Sequence, residues 1–188
     1  MSPILGIIAS GANVASGSFE SIATVSATGS SVTFSSIPST FQHLQIRGIY
    51  RDTATTAGQE APLYVGFNGD TGNNYAAHYL RGDGSTASAG ATSSTSWIRL
   101  DGAGVCAYTS SGIFGANIID IHDYASTTKN KTLRHFGGGD ANTSGTQFRV
   151  SLSSGFRNNT AAITSITIYA GNSGFASGSS FALYGIKA

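Results

Sequence analysis

Over 188 residues, 10 Lys and Arg nearly balance 9 Asp and Glu; charged residues make up 10% of the chain and hydrophobic residues 40%. The hydrophobic share excludes compositional disorder, and a near-neutral chain without a basic cluster lacks the footprint of a nucleic-acid binder. The single cysteine, Cys106, excludes a disulfide framework and a Cys-based metal centre.

The chain opens on an apolar run, Ile4-Leu5-Gly6-Ile7-Ile8-Ala9, followed by a small-residue spacer up to Ser18. No basic segment precedes the run, and it is too short to cross a bilayer. It reads as a docking leader over residues 1–18, with Ile4, Leu5, Ile7 and Ile8 as its contact residues and no membrane insertion. A single domain is expected over 19–188.

From Phe19 onward, strand-like runs alternate with turn chemistry at the spacing of a sandwich or barrel. The expected strands are Phe19–Ala27, Ser31–Ser36, His43–Arg51, Leu63–Asn68, Tyr75–Arg81, Ser96–Leu100, Ile113–Tyr124, Thr132–Gly137, Gln147–Phe156, Ile163–Ala170 and Ser180–Ile186. In His43–Arg51, Leu44, Ile46 and Tyr50 alternate with Gln45 and Arg47, a period of two that separates an apolar from a polar face. Phe148, Val150 and Leu152 alternate in the same way with Arg149, Ser151 and Ser153. Ile118, Ile119 and Ile121 are nearly continuous, which suggests a central strand buried on both faces. Thr28-Gly29, Pro38, the cluster Asn68–Asn74 and Gly171–Gly174 supply the turns. Asp83–Thr95 is small, polar and aperiodic, and reads as a long loop. No long amphipathic helix is present in the pattern. The expected fold is all-β: a two-sheet antiparallel sandwich, jelly-roll or lectin-like, behind a short leader.

The compact ionisable set is Asp120, His122 and Asp123. Asp120 and His122 would share a strand face, but no third ligand stands at a recognisable spacing, and a strand end entering a turn accounts for the same residues. His43, His78 and His135 are separate in sequence and read as hydrogen-bonded histidines in or beside the sheet. No pair of acids stands out for glycan hydrolysis: Glu20 opens the first strand and Glu60 lies in a loop before Pro62. No Gly-x-Ser-x-Gly turn leads into a helix, and the glycine-rich stretches precede no helix that could hold a phosphate. Enzymatic activity, a metal and a cofactor are therefore not expected. Asp70 with Asn68, Asn73 and Asn74 departs from a calcium loop and reads as a turn. Aromatic rings beside short polar groups suit sugar and protein contacts. Tyr64, Tyr79 and Tyr108 are assigned to the core, while Tyr75 and Trp97 are expected at the surface. With Asp70, Asn73 and Asn74 they form the candidate binding surface.

Four stretches, FSSIPSTFQHLQIRG (Phe34–Gly48), FNGDTGNNY (Phe67–Tyr75), IIDIHDYASTTKNKT (Ile118–Thr132) and SSFALYGIK (Ser179–Lys187), resemble small structural proteins of tailed bacteriophages, including cyanophages. The opening SPILGIIASG (Ser2–Gly11) is similar to openings in the same group. The resemblance covers most of the chain. It implies a virion protein assembled in the host cytoplasm, with other tail or capsid proteins as partners and a homo-oligomer, a trimer by preference. Two roles are open on this basis. One is a tail-associated fibre or receptor-binding module touching host surface glycan. The other is a capsid decoration protein clamping capsomers.

Overall fold

The computed structural model describes residues 17–57, 59–108, 111–140 and 148–187. The expected leader residues Ile4, Leu5, Ile7 and Ile8 lie outside the described residues. Among those described there is no helix, and the strands are β1 (Phe19–Ser26), β2 (Ser31–Phe34), β3 (His43–Asp52), β4 (Ala61–Phe67), β5 (Tyr75–Gly82), β6 (Ala87–Thr95), β7 (Ile98–Cys106), β8 (Gly115–His122), β9 (Lys131–Gly139), β10 (Arg149–Arg157), β11 (Ile166–Ala170) and β12 (Ser180–Ile186). The fold is all-β.

One long antiparallel ladder runs β1-β12-β3-β8-β9-β10-β5-β6, and a shorter one runs β2-β11-β4-β7. They join at a short parallel pairing, Arg51 with Val105 and Asp52 with Cys106, so the whole is one mixed sheet of 12 strands. This parallel join is a departure from two purely antiparallel sheets. The sheet doubles over there in a sandwich-like way, and β7 crosses the inner face of the long ladder. Its close approach depends on missing side chains: a Cβ on Gly155 of β10 would lie 2.4 Å from Ile98, and one on Gly104 of β7 would lie 2.3 Å from the Tyr50 ring. Leu44, Ile46, Leu63, Val65, Ile98, Leu100, Ile119 and Ile121 fill the space between the layers, each fully buried.

The bend is fixed by polar groups. Tyr50 donates its hydroxyl hydrogen to Asp52 Oδ2 at 2.6 Å, and the fully buried Asp52 also accepts from the backbone N–H groups of Ala54, Asn172 and Ser173. Burial, then the neighbouring Asp52 carboxylate, push the Tyr50 phenol far above its ordinary value. Such satisfaction is what makes a carboxylate tolerable at this depth.

Three expectations are corrected. Asp83–Thr95 is not one long loop. A tight turn at Asp83–Thr86 leads into β6, which pairs along β5. Ladder hydrogen bonds need only backbone, and Tyr79 lies where a Cβ on Gly90 would come within 2.4 Å of its hydroxyl, so small residues suit this edge. β8 is not buried on both faces: Ile119 and Ile121 point inward, while Ile118 is 39% exposed. In β10 the alternation holds but its sense is reversed. Ser151, Ser153 and Arg157 are buried and Val150, Leu152 and Phe156 are exposed. The inner face of β10 meets polar partners, since Asp101 N–H donates to Ser153 Oγ and Arg157 grips Asp70. A strand has period two, so placing those residues inside forces the apolar set outside.

Candidate functional site

At the end of the layers, beside the β4–β5 turn, lies an open cleft of about 500 Å³ lined by Tyr64, Asn73, Thr92, Thr95, Ser96, Trp97 and Arg99. Trp97 is among its lining residues and is 37% exposed. Its ring centroid is 5.1 Å from that of Tyr169 and 6.3 Å from that of Tyr64. A Cβ at Gly66 would reach to 3.0 Å of the indole, so the missing side chain lets the ring lie low over the sheet. The Thr95 hydroxyl donates to Trp97 O at 2.9 Å, and Ser94 adopts φ 54° within β6, where the pairing with β5 shifts register just before the cleft. Ser96 Oγ donates to Asn73 Oδ1 at 3.2 Å, tying the β4–β5 turn to the β6–β7 turn. The Thr92 hydroxyl is buried at the cleft wall without a partner among the described residues.

One wall is Arg99, fixed from behind by an ion network. Arg99 Nη2 lies 2.9 Å from Glu60 Oε2 and 3.1 Å from Asp101 Oδ1, while Nη1 donates to the Tyr64 hydroxyl at 3.3 Å. Arg81 Nη1 contacts Glu60 Oε1 at 3.0 Å and Asp101 Oδ2 at 2.5 Å, and Arg149 Nη1 reaches Glu60 Oε1 at 2.6 Å. The Asp101 carboxylate is fully buried. The sequence hides this assembly, because its members come from a loop and three strands. The two acids are close, as a glycosidase would need, but all four of their oxygens are engaged by guanidinium groups. The arrangement holds Arg99 in place and turns no carboxylate toward the cleft.

The expected surface residues divide. Asn73 and Trp97 line the cleft. Asp70 works within its own turn: it accepts from Asn74 Nδ2 at 3.0 Å, from Gly72 N–H at 2.9 Å and from Arg157 at 2.9 and 2.7 Å. The Asn74 amide first, then Gly72 N–H and Arg157, pull its carboxyl down to about 2. Asn74 is committed to the same turn. Tyr75 is not a surface residue: it is 1% exposed, packs on Phe67, and its hydroxyl accepts from Phe67 N–H at 3.2 Å. Being adjacent to a turn in sequence did not make it exposed, because as the first residue of β5 it faces inward.

Tyr64 belongs in part to the cleft and not only to the core. Asp120, His122 and Asp123 do not converge. Asp120 accepts from Gln45 and Arg134, His122 packs its ring on His43, and Asp123 takes φ 46° in the following turn. The Lys129 ammonium and Gln42 amide hold the Asp123 carboxyl below its ordinary range. Among the described residues, no three His, Cys, Asp or Glu side chains are grouped to hold a metal ion. His135 is fully buried with Nε2 3.0 Å from Asn117 Oδ1 and Nδ1 unpartnered among the described residues; burial pushes its imidazolium down to about 4. It is a neutral core residue at neutral pH.

Compared with known proteins, the chain matches no protein-family model, no curated protein and no solved structure.

Proposed function

We propose that this chain is a non-enzymatic structural protein of a tailed-bacteriophage particle, tail-associated, that contacts host surface glycan through the Trp97 cleft. The virion placement rests on the resemblance of the four sequence blocks and the leader to phage structural proteins. The observation that carries the glycan contact is the cleft itself. An indole braced by two tyrosines offers a flat apolar platform, and Asn73, Ser96 and Arg99 place polar groups around it. A pyranose ring has the matching character, apolar on its C–H faces and polar at its rim. The volume also falls within the usual range for small-ligand sites, on the order of 300–1,000 Å³.

The chain has one tryptophan, so its fluorescence reports this cleft alone. Titration with polysaccharide from the surface of a susceptible host should give a saturable change in that emission. Trp97→Phe cannot be read by the same signal, so its binding is followed calorimetrically. The variant should bind at least about tenfold more weakly, a loss near 1.4 kcal/mol, with unchanged melting. Equal affinity of the variant, or no saturable response across host polysaccharides, would remove the cleft from the account.

A further inference from the structure

Among the described residues, Arg99 is the one charged side chain that lines the Trp97 cleft; Glu60 and Asp101, which hold it, do not line it. A guanidinium carries five N–H donors. Three of those in Arg99 are engaged: Nη2 donates to Glu60 and Asp101, and Nη1 donates once, to the Tyr64 hydroxyl. Nε–H and the second Nη1 hydrogen have no acceptor among the described residues. The neutral groups beside Arg99 lean the same way. Tyr64 accepts from Arg99, so its own hydroxyl hydrogen is left to donate. Asn73 accepts from Ser96 through Oδ1, which leaves its amide hydrogens to donate. The wall of the cleft therefore offers hydrogens from Arg99, Tyr64 and Asn73 and presents no carboxylate to receive any.

We propose that the cleft selects acidic sugars, with Arg99 taking the carboxylate of a uronic-acid-type residue while the sugar ring lies on Trp97; this rests on the glycan reading above and narrows it to a substrate class. A sugar hydroxyl donates as well as accepts, so a wall of donors uses only half of what it offers. A carboxylate only accepts, and it carries the charge that complements Arg99. Hydrogen bonds between ionised groups are also roughly twice as strong as those between neutral ones. The two carboxylates that hold Arg99 oppose an incoming anion only weakly, because Arg81 and Arg149 engage them as well. They also fix the guanidinium before the sugar arrives, so little side-chain freedom is lost on binding. Arginine keeps its proton across the accessible pH range, which leaves the sugar's own acid group to set the pH dependence.

The test is calorimetric titration of the full chain with two probes: surface polysaccharide of a susceptible host, and the same material after its carboxyl groups are reduced to primary alcohols. The native polymer should bind at least about tenfold more tightly than the reduced one, the scale of one charge-assisted hydrogen bond. That excess should shrink as sodium chloride is raised. Arg99→Gln should bring the two polymers to the same affinity, and Arg99→Lys, which keeps the charge, should restore part of the preference. A purely structural role for Arg99 would weaken both polymers alike, so a folded Arg99→Gln that keeps the parent's ratio overturns the proposal. Equal binding of the two polymers by the parent chain overturns it too, whether or not the variants fold, and leaves the glycan reading standing. Failure of both polymers to bind removes the glycan reading itself, and the acidic-sugar preference with it.

Discussion

Phe181→Ala is expected to destabilise the protein by about 3–5 kcal/mol, the usual range for emptying a buried aromatic site. Phe181 is fully buried in β12, which pairs with β1 on one side and β3 on the other. Its ring packs edge-on against Phe175 at 5.6 Å, and Phe175 in turn meets Tyr50 at 5.4 Å, so one ring stack links the long ladder to the bend. The facing position is Gly48, where a Cβ would come within 2.3 Å of the ring. With glycine at the facing position, that strand offers no side chain to move into the space, which places the loss toward the upper part of the range. Urea unfolding with an unchanged slope should read it as a lower midpoint. A loss below about 1 kcal/mol, the scale of a volume-conserving core swap, would show that β12 is peripheral.

Asp101→Ala should cost about 3 kcal/mol, the lower end of the range for removing one partner from a buried ion pair. Asp101 is the buried anchor of the network, touching both Arg81 and Arg99, whose side chains are 19% and 26% exposed. Water reaches those arginines in part, and Glu60 remains to share, so the higher values reported for fully enclosed pairs do not apply. Asp101→Asn keeps the shape and removes the charge; it should be nearly as damaging, because the cluster then holds three guanidinium groups on one carboxylate. The same change should weaken glycan binding, since Arg99 loses the contact that orients it toward the cleft. Equilibrium unfolding and calorimetric titration on the two variants separate the effects. A pair of variants as stable as the parent would mean that the network is ornamental to the fold.

The all-β class was legible because it depends on composition and period. Ser, Thr, Asn and Gly in place of Lys and Glu, with alternation at Leu44, Ile46 and Tyr50, specify strands irrespective of what they pack against. The direction in which an alternating strand faces was not legible. Val150, Leu152 and Ser153 read as an ordinary amphipathic strand, and only the crossing of β7 beneath β10 decides that the serines go inside. The strand β6 was missed for a related reason, since Ala, Ser, Gly and Thr carry no periodic signal and its pairing with β5 rests mainly on the backbone ladder. At the cleft, Trp97 and Asn73 were visible as an aromatic and a turn amide near polar loops. Tyr75 looked equivalent, but strand parity turns it inward. The ion network could not be seen, because Glu60, Arg81, Arg99, Asp101 and Arg149 meet only when β5, β7 and β10 stack. The available signal was the scarcity of charge itself, since a charged side chain that is buried in such a chain needs a partner.

The most direct test of the proposed role is mass-spectrometric quantification of the chain in purified tailed-phage particles, with the major capsid protein as internal standard. As a tail component the chain should be present, as a small minority relative to the capsid protein. Its absence from the particles, or an abundance comparable to the capsid protein that places it on the head, would rule out the proposed tail role.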